Sequence, residues 1–175
     1  AGPRSVTWRS DAPATLSWLQ ALPPRPATAD KRPVRDGWFT LAAPFGAKPD
    51  RQQQFEFRVQ SILWSDDQVA LVSETWASSG TTRLWRVSPG EPGGSRTLLF
   101  ERRTEDRYGN PGRVTMGRNH FGRVVLQRSS DGNKIFLSGD GASEEGDRPF
   151  LDEFDLTTKE KRRVWRSAPP SYESF

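Results

Sequence analysis

Residues Val59–Arg103 read VQSILWSDDQVALVSETWASSGTTRLWRVSPGEPGGSRTLLFERR, and this stretch decides the fold. It divides into four short strands. Ile62-Leu63-Trp64 ends in the polar turn Ser65-Asp66-Asp67, and Val69-Ala70-Leu71-Val72 runs on to Glu74-Thr75-Trp76. After the loop Ser78-Ser79-Gly80 comes Arg83-Leu84-Trp85-Arg86-Val87, with alternating side chains, and past two glycine turns comes Thr97-Leu98-Leu99-Phe100. Runs of β-branched and aromatic residues bounded by Gly, Pro, Asp and Ser are the signature of strands. Four strands in about 45 residues is the size of one β-propeller blade.

Outward from this unit the pattern recurs. Val6-Thr7-Trp8, the turn at Asp11-Ala12-Pro13 and Ala14–Trp18 repeat the first hairpin, and Trp38–Ala42 adds a third strand. On the other side stand Gly122–Leu126, the turn Ser130-Asp131-Gly132-Asn133, Lys134–Ser138, Phe150–Leu156 and Arg163–Arg166. The expected architecture is all-β: about three antiparallel four-stranded blades of an incomplete propeller, over 1–58, 59–103 and 113–167, with a Pro-rich loop at 22–33. The prolines in that loop remove backbone donors and oppose ladder pairing there. Trp8, Trp64, Trp85 and Trp165 fall at matching places in the units, where stacked sheets would bury them.

Composition limits the chemistry. Cysteine is absent, which excludes disulfides, thiolate metal sites and a catalytic thiol. No apolar run reaches membrane-spanning length, and no membrane partner is expected. The chain opens Ala1-Gly2-Pro3 without a signal-like segment and reads as a piece of something longer. The net charge of +4 comes from scattered basic residues with short runs at Arg102-Arg103 and Lys159–Arg163, which suits a solvated surface better than a nucleic-acid face. His120 is the sole histidine and sits in a turn, so neither a multi-histidine metal site nor a catalytic role is expected of it. Asp140, Glu144, Glu145, Asp147 and Asp152 do not follow calcium-loop spacing. They read as a solvated loop kept compact by Arg148. No metal and no cofactor is expected.

Several motifs in order resemble one family. These are Gly2–Leu16, Asp67–Trp76, Thr104–Gly112 and Gly141–Asp152. Together they resemble the middle part of the N-terminal propeller of the glutamyl endopeptidase branch of the prolyl oligopeptidase serine peptidases. The resemblance implies a seven-bladed propeller capping a C-terminal α/β-hydrolase domain. It also implies peptide substrates and a soluble setting in cytoplasm or plastid stroma. That hydrolase domain of the same parent chain would be the main partner. The family's Ser-His-Asp triad rests on a G-x-S-x-G elbow, which this chain lacks. Gly141-Ala142-Ser143-Glu144-Glu145 misses the second glycine, so no catalytic residue is expected here. Where the family often has several basic residues after Trp76, this chain has Ala77–Thr82 followed by Arg83.

Arg83, Arg102, Arg103 and Arg107 are the candidates for contact with acidic peptides, because a guanidinium binds a carboxylate through two parallel hydrogen bonds. The alternative for each is an ordinary interblade ion pair. The expected role is noncatalytic gating of peptide access to the hydrolase domain. A reading from another class is a stand-alone β-rich binding module for an anionic partner. Three blades cannot close a ring, so self-association of the isolated segment is expected.

Overall fold

A computed structural model describes residues 2–22, 34–170 and 172–173. The expected loop at 22–33 lies, past Leu22, outside the described residues. Among those described there are fourteen strands and no helix. The first sheet runs β1 (Pro3–Trp8), β2 (Thr15–Ala21), β3 (Asp36–Ala42), β4 (Asp50–Phe55), in that spatial order. The second runs β5 (Arg58–Trp64), β6 (Ala70–Trp76), β7 (Thr81–Val87), β8 (Arg96–Arg103). Beyond it the chain makes β9 (Arg113–Val114) and a separate hairpin of β10 (Met116–Arg118) and β11 (Val124–Leu126). It then completes the third sheet with β12 (Lys134–Gly139), β13 (Phe150–Asp155) and β14 (Lys161–Arg166), in the order β9-β12-β13-β14. Pairing is antiparallel throughout. The fold is all-β, with three four-stranded blades that form no closed ring.

The second sheet is the middle layer because its strand β6 is apolar on both faces. Successive strand residues point to opposite sides. Ala70 and Val72 therefore join Leu19, Trp38, Phe55, Val59, Trp64 and Val87 in a core against the first sheet. Val69 and Leu71 point the other way, into a core with Leu99, Ile135, Leu137, Phe154 and Leu156 from the second and third blades and Leu126 from the β10–β11 hairpin. Trp38 and Trp64 meet edge to face across the first interface at 5.2 Å, and Phe100 and Phe154 meet across the second at 4.6 Å.

Hairpin turns are held by aspartates whose carboxylates stand in for backbone acceptors. Asp66 Oδ1 accepts from the N–H of Gln68 and Val69. Asp155 Oδ1 accepts from Thr157 and Thr158 at 2.8 Å each. The bonds from Thr158 and Thr157 hold Asp155 below the usual carboxylate range. The hydroxyl of Ser129, then the N–H of Asn133, does the same to Asp131.

Two expectations are corrected. Trp8 is 56% exposed. It pairs with Leu16, while its neighbour Thr7 pairs with Ser17, whose hydroxyl takes the Trp38 indole N–H in the core. Trp8 therefore lies on the face turned away from the second sheet, against Phe45. Trp165 is only half-buried, and Trp38, fully buried, is the ring that fills the first interface. The strand foreseen at Gly122–Leu126 forms as β11 but does not join the third sheet. Asn119 Oδ1 accepts from the N–H of Phe121 and Arg123, and the chain doubles back onto β10. This leaves β9 only two residues with which to pair β12. The hairpin tip instead reaches the first sheet: Asn119 Nδ2 donates to Ser10 O at 3.1 Å and Arg123 Nη1 to Arg9 O at 3.2 Å.

The joint between the first two sheets is fixed by buried carboxylates. Asp36, fully buried at the start of β3, accepts the Val59 N–H at 2.8 Å and pairs with Arg58 at 2.6 Å and with Arg4. Glu74, fully buried on β6, accepts the Phe57 N–H and the Trp85 indole N–H, each at 2.8 Å. Replacing Asp36 with Ala leaves two guanidinium groups and the Val59 N–H without their acceptor. The two guanidiniums stay partly exposed and can be hydrated, so the expected loss is that of the buried Val59 N–H, about 1–3 kcal/mol, read by urea unfolding; a stability within about 0.5 kcal/mol of the parent would show that the joint does not depend on this carboxylate.

Candidate functional site

The four arginines singled out in the sequence occupy different settings. Arg83 on β7 stands in register between Glu74 on β6 and Glu101 on β8. Its Nε donates to Glu101 Oε2 at 2.5 Å and its Nη1 to Glu56 Oε2 at 2.8 Å, with Glu74 Oε1 3.7 Å away. The guanidinium lies over the Phe57 ring at 4.3 Å, and the side chain is only 12% exposed. Burial alone would lower its pKa, but the hydrogen bonds and charges of Glu56 and Glu101 outweigh that and raise it. Three carboxylates already claim this cation, so its chemistry is that of a clamp across three strands.

Arg102 is a brace: its Nη1 reaches the carbonyls of Arg103, Thr104 and Asp106 and shapes the connector after β8. Arg103 is largely exposed and stands 3.8 Å from Glu105. Arg107 is also exposed, and its Nη2 meets Asp147 at 3.2 Å. The structure does not bring the four together. Of the four, only Arg107 enters a pocket rich in other cations, beside Lys161, Arg163 and Arg166 of β14.

A cleft of about 470 Å³ opens between the first and second sheets. Arg35, Glu56, Phe57, Trp76, Arg83 and Glu101 line it. Phe57 and Trp76 stack at 6.0 Å, and the Arg35 guanidinium covers the Trp76 ring at 4.0 Å. Cation–π contact thus occupies both ring faces that a ligand would use.

The remaining candidates sit in local contacts of their own. Ser143 is tied into its own turn, its hydroxyl on the carbonyl of Gly146 at 2.5 Å. His120 is exposed at the tip of the β10–β11 hairpin, against Phe121. The acidic stretch disperses into separate ion pairs: Glu145 with Arg148, Asp147 with Arg107, and buried Asp152 with Arg163 and Lys161. Among the described residues, no group of three or more His, Cys, Asp or Glu is placed to hold a metal ion.

Sequence reasoning missed Asp36 and Glu74, and it put Asp152 in a solvated loop, whereas Asp152 lies on β13; all three are fully buried. Their signal is a carboxylate at a strand position whose same-face neighbours are apolar. It also missed Arg166, whose face is set by a register shift in the β13–β14 pairing.

No family model matches the chain, and no solved structure does. Two curated proteins do. One is the probable glutamyl endopeptidase, chloroplastic, of Arabidopsis thaliana, 35% identical over 98% of this chain and 18% of its own length. The other is the protein of the same name from Oryza sativa subsp. japonica, 34% identical over 98% of this chain and 19% of its own length. The chain is therefore related over nearly its whole length to a segment of proteins named as peptidases, and it spans about a fifth of each.

If Arg83 is a structural clamp, Arg83→Ala strands the buried Glu74 beside an empty site. The expected effect is destabilisation of about 3 kcal/mol in urea unfolding. A variant of unchanged stability would instead return Arg83 to the pool of residues free to meet a ligand.

Proposed function

We propose that this chain is a noncatalytic propeller segment of a serine peptidase resembling glutamyl endopeptidase, and that it restricts which peptides reach a hydrolase domain elsewhere in the same protein. The observation that carries the reading is the 98% coverage by a relative that the chain itself covers to only 18%. A segment of this kind acts by shape. Its sheets would wall off the reaction site so that extended peptides pass and folded proteins do not. The loosely held cations at its rim would meet acidic residues of a passing chain, weakly and in a salt-dependent way.

Both outer sheets agree with a place inside a longer array. The first sheet turns Val6, Trp8 and Phe45 outward, at 58%, 56% and 42% exposure, beside the stacked rings of Trp18 and Phe39. The third sheet turns Val164 outward. Further blades of the same polypeptide would cover these faces, and a closed ring would result. Expressed alone, residues 1–175 should associate as concentration rises, and Trp8→Ser with Phe45→Ser should reduce that association in analytical ultracentrifugation. A stable monomer at all concentrations would remove the need for neighbouring blades.

The gate is tested in the full-length protein. Cleavage of a short glutamate-containing peptide is compared with cleavage of the same sequence held inside a folded domain. Asp36→Ala loosens the joint between the first two sheets. It should raise cleavage of the folded substrate about tenfold while turnover of the short peptide, the control for an intact hydrolase domain, stays level. An unchanged ratio of the two rates would overturn the gating role.

A further inference from the structure

The pocket between the connector after β8 and the third sheet occupies the same place in the repeat as the cleft between the first and second sheets. Each is lined by the connector, by the loop before the third strand of a blade, and by that blade's third and fourth strands. Their charges are opposed. In the first, Arg35 and Arg83 face Glu56, Glu74 and Glu101. In the second, the lining cations are Arg107, Lys161, Arg163 and Arg166, and no carboxylate lines the pocket itself.

A strand irregularity builds this cluster. Lys161 pairs with Phe154 and Arg163 with Asp152, but Arg166 pairs with Phe150 because the register shifts between them. Val164 is the extra residue. Without it, strict alternation would send Arg166 to the opposite face; with it, all three cations share the face of Phe150, Asp152 and Phe154. Bulges commonly re-aim a side chain in this way.

The cations are only partly neutralised. Asp152 is shared by Arg163 and by Lys161 Nζ at 3.5 Å. Arg107 has Asp147. Arg166 has no polar partner among the described residues. Four cations thus meet two carboxylates, and a further acid, Asp140, lines the adjoining recess. The Arg163 guanidinium stands over the Phe150 ring, its Cζ 4.6 Å from the centroid. Asn110 keeps its Oδ1 on the Gly112 N–H and presents an amide donor at the same wall. At Gly141 a Cβ would stand 1.9 Å from the Arg148 carbonyl oxygen, so the loop can close this tightly on the pocket only with glycine there.

We propose that this pocket binds a small phosphate dianion. Its volume, about 170 Å³, suits one phosphate group with a few waters and is too small for a run of peptide. The donors arrive from separate elements, the connector on one side and β14 on the other. A tetrahedral anion with several acceptor oxygens satisfies such directions better than a planar carboxylate, which one guanidinium fork already saturates. The surplus of two cations over bound carboxylates matches the charge of a phosphate monoester near neutral pH. The site is independent of the gating role, and its test reads binding alone.

Isothermal titration of the full-length protein with inorganic phosphate at low ionic strength should give saturable, one-to-one binding. Arg166→Gln, an exposed position without a partner to strand, should weaken it about tenfold with an unchanged thermal midpoint. Asp140→Asn should tighten it by removing a repelling charge. Lys48→Gln, which removes one exposed positive charge outside the pocket, should leave it unchanged. A parallel titration with glycerol phosphate distinguishes a free phosphate from the phosphate of a larger molecule, and saturable binding of either sustains the site. Non-saturating heats, an equal loss in Lys48→Gln, or succinate binding as tightly as phosphate would each overturn it.

Discussion

Two buried carboxylates set the geometry on which the other contacts depend. Where the chain crosses from the first sheet to the second, the Val59 N–H ends on Asp36 and the Phe57 N–H ends on Glu74. A buried acceptor without a donor costs more than the bond itself contributes. The connector therefore has little freedom to shift, and the spacing of the two sheets follows from it. Trp38, Trp64 and Trp85 fill the gap that this spacing leaves, and the Trp85 indole N–H finds its acceptor in Glu74.

The second crossing is made by other means. The connector from Thr104 to Gly112 is long and exposed, braced by Arg102 on its own carbonyls and by Arg107 across to Asp147. Surface ion pairs of this kind contribute little to stability. What keeps the third sheet in place is the apolar contact through Leu71, Leu137 and Phe154, together with the β10–β11 hairpin. The looser joint leaves space at its rim, and the cationic pocket lies there. One joint is closed by carboxylates that neutralise their arginines, and the other is left open with arginines to spare.

Much of the fold was legible because a strand that is apolar on both faces can only be an inner layer, and Val69-Ala70-Leu71-Val72 is such a strand. Turn positions were legible for the same kind of local reason, since Asp66, Asp131 and Asp155 each serve the backbone of their own hairpin. The site was less so. Whether an arginine is spent on a clamp or left at a rim depends on which residues lie opposite it, and register decides that. Arg83 meets Glu74 and Glu101 only through correct pairing on both sides. Arg166 joins Arg163 only through one unpaired residue. Trp8 was misplaced because a repeat of residue type does not specify which face of an edge strand is covered.

The hairpin that leaves the third sheet and returns to the first turn of the chain changes the kind of assembly this is. An array in which each repeat touches only its neighbours can melt from either end, one unit at a time. Here Asn119 and Arg123 hold Ser10 and Arg9 across more than a hundred residues of chain, so the first and third units are coupled without passing through the second. Neither end can then fray without straining the other. The three sheets should behave as one cooperative unit whose closing contact forms late, after its long intervening loop has been ordered.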